Sequence, residues 1–178
     1  MTDEEKLVTG AWIDAAGTII AAIASNRAFE ESPSISNKLT AVGDGLQAVG
    51  TAFMASVTTD NHLSFTGNWI DTIGAAATSL AEYMQGLDET VDADFIRLEV
   101  LGESFQSIGA SMSSFASYLL GEKELAIGNA LQGLGAGLEA IGSVHELKGN
   151  QAGQIIGAIG AILQAIGSNY YAVVVTKE

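Results

Sequence analysis

In IGNALQGLGAGLEAIGS, residues 127–143, glycine recurs at Gly128, Gly135 and Gly142, once every seven residues. Leu131, Leu134, Leu138 and Ile141 fall between them at the three- and four-residue steps of a helix. A glycine inside a helix costs about 1 kcal/mol relative to alanine, so a helix with one per two turns needs a compensating gain. Gly133 and Gly137 lie outside the seven-residue rule. They predict that this fifth helix makes a very close approach to a neighbour, expected to be the sixth.

The same phrase (large apolar, polar, any, apolar, Gly) recurs along the chain. It reads Ile13-Asp14-Ala15-Ala16-Gly17, Leu46-Gln47-Ala48-Val49-Gly50 and Ile70-Asp71-Thr72-Ile73-Gly74 in the first half. It returns as Phe105-Gln106-Ser107-Ile108-Gly109, Leu131-Gln132-Gly133-Leu134-Gly135 and Leu163-Gln164-Ala165-Ile166-Gly167. A second glycine precedes each copy by seven residues, at Gly10, Gly43, Gly67, Gly102, Gly128 and Gly160. With the first apolar residue at heptad position a, the second falls at d, the glycine at e and the polar residue at b. Positions a, d and e form one face of core width. This predicts that Asp14, Gln47, Asp71, Gln106, Gln132 and Gln164 lie on the rim, in water or bonded to a neighbouring helix. A glycine beside a and d lets two backbones approach closely, gaining dispersion and Cα–H···O contacts. The expected helix-packing residues are Gly17, Gly43, Gly50, Gly74, Gly102, Gly109, Gly128, Gly135, Gly142, Gly160 and Gly167.

The copies are ordered as repeats covering approximately 8–57, 65–118 and 122–169. The expected fold is therefore all-α: an antiparallel six-helix array or bundle of three helical hairpins, one domain over residues 1–178. A strict seven-residue period favours left-handed supercoiling with helices crossing near +20°. Tyr170-Tyr171-Ala172-Val173-Val174-Val175-Thr176 has strand preference. It reads as a short extended tail, with continuation of the last helix or pairing with another chain as the alternatives.

Composition narrows the function classes. Seven Lys and Arg against 21 Asp and Glu give a net charge of −14, which repels phosphate backbones and excludes nucleic acid as a natural partner. Anionic lipid headgroups are disfavoured for the same reason. The chain has no cysteine, so it has no disulfide, thiolate metal site or cysteine nucleophile. MTDEEKLV lacks the features of a signal peptide, and a cytoplasmic protein is expected. Mean hydropathy is +0.30, and residues 104–121 and 149–176 carry no charge. Both are long enough to cross a bilayer. Their Gly, Ser, Gln and Asn content and the lack of basic flanks favour buried helices instead.

Candidate chemistry is sparse. His62 falls in an expected loop and His145 near the end of the fifth helix, without a second histidine at helical spacing. The acidic run Asp88 to Asp94 lacks the glycine and glutamate of a calcium loop, and Asp92 reads as a helix cap. Gly43-Asp44-Gly45 and Gly133-Leu134-Gly135-Ala136-Gly137 have neither the spacing nor the context of a phosphate loop. Asp14 and Asp71 are related by the repeat, and a pseudo-symmetric fold could bring them together for acid–base work, but no nucleophile or histidine accompanies them. Trp12 and Trp69 read as core or interface anchors. No catalytic, metal-binding or cofactor-binding residue is expected, no cofactor, and no small-molecule ligand.

The W-I-x-x-I/A-G and L-Q-A-I-G phrases resemble an uncharacterised family of short, glycine-periodic repetitive proteins of spore-forming bacilli. The resemblance covers all six helices. It implies a non-enzymatic protein with no assigned activity. The first expectation is a structural, self-associating homo-oligomer, since small residues on several faces allow the same packing between subunits. The second is a membrane-active protein that inserts its two uncharged segments, because regular Gly and Ala spacing is what transmembrane helix interfaces use.

Overall fold

The structure, a computed structural model, describes residues 1–25, 32–87 and 93–177. Six helices follow one another: α1 Asp3–Ala24, α2 Pro33–Ala55, α3 His62–Leu87, α4 Ala93–Leu120, α5 Lys123–Leu147 and α6 Ala152–Val175. A capping box starts α1, with Glu5 N donating to Thr2 Oγ1 at 3.1 Å and Thr2 N to Glu5 Oε2 at 2.8 Å. Pro33 opens α2 at a position where its missing N–H is harmless. Gly121 and Gly149, at φ +84° and +70°, make the turns on either side of α5.

Each helix packs on its chain neighbours, and α6 packs on α1, so the helices close into a ring. Every seam is antiparallel, and two kinds alternate. Within the hairpins α1/α2, α3/α4 and α5/α6, glycines oppose backbone. A methyl group on Gly50 would lie 2.5 Å from Asp14 N and Gly10 O, and one on Gly109 would lie 2.5 Å from Asp71 N and Gly67 O. Gly17 opposes Gly43, Gly74 opposes Gly102, Gly128 opposes Gly167, Gly135 opposes Gly160, and Gly142 opposes Gly153 and Gly157.

Between hairpins, hydroxyls carry the contact. Ser79 Oγ donates to Ala41 O and Ser34 Oγ to Gly86 O, both at 2.7 Å, across α2/α3. Ser107 Oγ donates to Gly133 O and Ser114 Oγ to Ala126 O, both at 2.8 Å, across α4/α5. Thr18 and Ser168 share a 2.6 Å hydrogen bond across α1/α6. Gly133 and Gly137 therefore face Ser107 and Ser111 of α4. The expectation that they mark the approach to the sixth helix is corrected: they make room for hydroxyl donors on the other side.

Two further expectations are corrected. The C-terminal segment is not an extended tail, because α6 runs through Val175. Tyr171, Ala172, Val174 and Val175 are buried in one cluster with Ala11, Ala15, Met54 and Leu125, backed by Leu7 and Val8. Trp12 Nε1 also donates to Thr176 Oγ1 at 3.0 Å. Tertiary packing overrides the local strand preference.

The heptad also faces the other way from the expected one. The d residues Val49, Ile73, Ile108, Leu134 and Ile166 are 46% to 64% exposed, whereas the b residues Asp14, Gln47, Gln106, Gln132 and Gln164 are 1% to 6% exposed. Trp12, Ile19, Trp69, Tyr83 and Tyr118 share the outward face. The apolar stripe looks out, the polar stripe looks in, and the glycines occupy the seams.

Candidate functional site

Inverting the stripe puts polar chemistry on the axis of the ring. Taking the seven-residue frame of each helix, the acids of the helix bodies fall at b or f: Asp14, Asp71, Glu99, Glu139 and Glu146 at b, Asp44, Glu82 and Glu103 at f. These two positions stand side by side on a helix, so five of the helices, α1 to α5, deliver their acids to one interior.

The interior has three levels. At the end formed by the N-termini of α1, α3 and α5, the apolar cluster of Leu7, Val8, Met54, Leu125, Tyr171, Val174 and Val175 plugs the space between α1, α2, α5 and α6. Above that plug lies a polar layer that includes Asp14, Thr18, Thr51, Asn129, Gln132 and Ser168, all buried. Asp14 is within electrostatic reach of Asp71, so the fold does bring this repeat-related pair into one region. Neither carboxylate oxygen of Asp14 has a hydrogen-bond partner among the described residues.

At the opposite end the ring holds a cavity of about 740 Å³, lined by residues of all six helices. Six carboxylates of the described residues line it: Asp44 from α2, Glu82 from α3, Glu99 and Glu103 from α4, Glu139 and Glu146 from α5. Among the described residues that line it there is no lysine or arginine. Ser143 Oγ lies 3.0 Å from Glu99 Oε1 and 3.1 Å from Glu103 Oε1, and can donate to one at a time. Gln85 Nε2 donates to Glu99 Oε2 at 2.8 Å, Gln164 donates to Glu139, and Gln106 Nε2 donates to Thr78 Oγ1 at 2.7 Å. Two buried acceptors are left over, Glu103 Oε2 and Gln106 Oε1, with no partner among the described residues. On the α1 and α6 side the wall is mostly apolar, with Ala22, Ile155, Ala158, Ile159 and Ile162 beside the polar Ser25, Gln154 and Gln164.

A cavity this rich in acceptors, with no basic side chain among its described lining residues, calls for a ligand that brings N–H donors or positive charge. Among the described residues, no group of three His, Asp or Glu is close enough to hold a metal ion.

The other residues singled out from sequence lie elsewhere. His62 is the exposed first residue of α3, and His145 Nδ1 pairs with Asn150 Nδ2 at 3.0 Å on the surface. Trp69 packs edge-on against Phe65, ring centroids 6.3 Å apart. Asp88 to Asp92 lies outside the described residues. Gln47, Gln106, Gln132 and Gln164 are interior groups and not rim residues. The cavity acids were missed because each helix was read with its apolar face toward the core. The signal that could have found them is their confinement to b and f, where a water-facing helix would mix in lysine and arginine.

Residues 5–172 match the profile of a family described as "Family of unknown function (DUF6944)". The chain belongs to that family. The match spans nearly all of the ring, ending at Ala172 inside α6, and carries no activity with it. No curated protein and no solved structure matches the chain.

Proposed function

We propose that this DUF6944 protein is a non-enzymatic, membrane-embedded helical ring that admits cations into an acidic vestibule open toward one side of the bilayer. The observation that carries the reading is the reversal of sidedness. Buried Asp, Gln, Thr and Ser stand on the axis, while exposed Ile, Leu, Val, Phe, Trp and Tyr stand outside on every helix. Contiguous exposed apolar surface of this extent marks an interface with a partner or a membrane. A second copy would cover one side of such a ring, whereas lipid covers the whole circumference.

Other features agree. The helices have 22 to 28 residues, about 33 to 42 Å at 1.5 Å per residue, against a hydrocarbon core of about 30 Å. The exposed charges on helices lie near helix ends: Asp3, Glu4 and Glu5 on α1, Lys38 on α2, Asp94 and Arg97 on α4, Lys123, Glu124 and Glu146 on α5. Windows of α1 and α6 reach mean hydropathy 1.7 and 1.4 and are only about half buried, at 44% and 50%. Inward acids and amides lower the average of the remaining helices without touching their outer faces. Trp12, Trp69, Tyr118 and Tyr170 are exposed toward the plugged end, where amphipathic rings suit a membrane boundary. Glycine contacts and interhelical hydroxyl bonds are the means by which helices associate in lipid.

The test is fractionation of cells expressing the full chain. The protein is expected in membranes after an alkaline carbonate wash and in solution only with detergent. Recovery as monodisperse soluble protein without detergent, whether monomer or assembly, would overturn the membrane reading.

A further inference from the structure

The geometry points to an aliphatic diamine or polyamine as the occupant of the vestibule, an inference that rests on the cation-taking reading above and names its substrate class. The six carboxylates form two tiers. Asp44, Glu103 and Glu139 are deep: Gly102 of α4 meets Thr78 of α3, Gly45 of α2 meets Ser79, and Gly137 of α5 meets Ser107 of α4. Glu82, Glu99 and Glu146 stand nearer the mouth, one to two helical turns further out on the same walls. At 1.5 Å per residue the step from Glu103 to Glu99 is about 6 Å and from Glu139 to Glu146 about 10 Å. A chain of roughly four to six methylenes, with bonds of about 1.5 Å, places two ammonium groups at that separation.

Two independent observations separate this ligand from a metal ion. First, the free acceptors in the deep tier, Glu103 Oε2 and Gln106 Oε1, belong to side chains only 7% and 3% exposed and have no partner among the described residues. A carboxylate and an amide oxygen on one face of α4, a turn apart, suit the several N–H donors of a primary ammonium. Among the described residues the carboxylates are not gathered into any three-ligand group. Second, one wall is mostly apolar, Ser25, Gln154 and Gln164 being its polar members. Across α1/α6 the side-chain hydrogen bonds, Trp12 to Thr176 and Thr18 to Ser168, lie toward the plug. Beyond them Ala22, Ile155, Ala158, Ile159 and Ile162 line the cavity, and a methyl group on Gly157 would meet nothing within 4 Å. A hydrated metal ion gains nothing from that wall, whereas a methylene chain buries itself there while its ends reach the opposite acids.

Isothermal titration of the detergent-solubilised full chain tests the assignment, with cadaverine, spermidine, pentylamine, Mg²⁺ and Ca²⁺ as probes at constant ionic strength. Cadaverine and spermidine are expected to bind about tenfold or more tightly than pentylamine, the factor one further charge-assisted contact supplies. Mg²⁺ and Ca²⁺ are expected not to displace them. Glu103→Gln in the deep tier and Glu82→Gln at the mouth should each cut diamine affinity about tenfold and narrow the preference over pentylamine. Glu5→Gln, outside the vestibule, should leave it unchanged, and circular dichroism should show all variants equally helical. Equal affinity for pentylamine and cadaverine, or displacement by Mg²⁺, would overturn the diamine assignment and leave a general cation vestibule standing. Absence of binding by every probe would overturn both, with membrane placement judged separately by fractionation.

Discussion

The glycines differ from one another in what surrounds them, and that makes single substitutions informative. An alanine methyl at Gly50 would collide with the backbone of Asp14 and Gly10 at 2.5 Å, and backbone cannot yield as a flexible side chain does. Gly50→Ala is expected to destabilise the ring by about 1–3 kcal/mol, the usual cost of overpacking. A methyl group on Gly157 would point into open space, so Gly157→Ala should gain up to about 1 kcal/mol of helix propensity. Thermal unfolding in detergent micelles checks both, and equal effects would mean that the seams are not what positions these glycines. The sequence shows the glycine period plainly. It cannot show that Gly157 is open while Gly50 is closed, because that depends on where neighbouring backbones lie.

Among the elements, the six helices and their antiparallel order were legible from the periodic phrase. The partner of α5's extra glycines and the state of the C-terminus were not. Gly133 and Gly137 look toward α4 because Ser107 and Ser111 need room beside α5, a relation between distant residues with no local mark. Likewise Tyr171, Val174 and Val175 are helical because Met54 and Leu125 bury them. Hydroxyl seams should be individually modest. Ser79→Ala, which removes the bond to Ala41 O, is expected to cost about 0.6 kcal/mol in detergent, typical of interhelical bonds in membrane bundles. The plug should matter to permeation. Proteoliposomes of the native chain are expected to hold a potassium gradient, and Tyr171→Ala with Val175→Ala should make them leak. An unchanged gradient in that variant, with the ring still folded, would show that closure lies elsewhere.

For the whole molecule, the decisive quantity is which face of the heptad meets the solvent. The amphipathic stripe is equally strong whichever way it points, so Val49, Ile73, Ile108, Leu134 and Ile166 look like core residues to any reader who assumes water outside. The clue in the composition is the distribution of charge. Seven Lys and Arg in 178 residues are too few to coat six helices, and the acids of the helix bodies keep to b and f. The vestibule follows from that one reversal, since the same turn that exposes Ile108 brings Glu103 and Gln106 to the axis. The native chain has no cysteine, so single cysteines carrying a nitroxide label report one site at a time. In liposomes, labels at Val49, Ile73, Ile108 and Ile166 are expected to relax strongly with oxygen and weakly with a water-soluble nickel chelate, as lipid-facing sites do. A label at Glu82, on the vestibule wall, should show the opposite preference. Labels at the four outer positions that relax with the nickel chelate, or with neither reagent, would contradict the account.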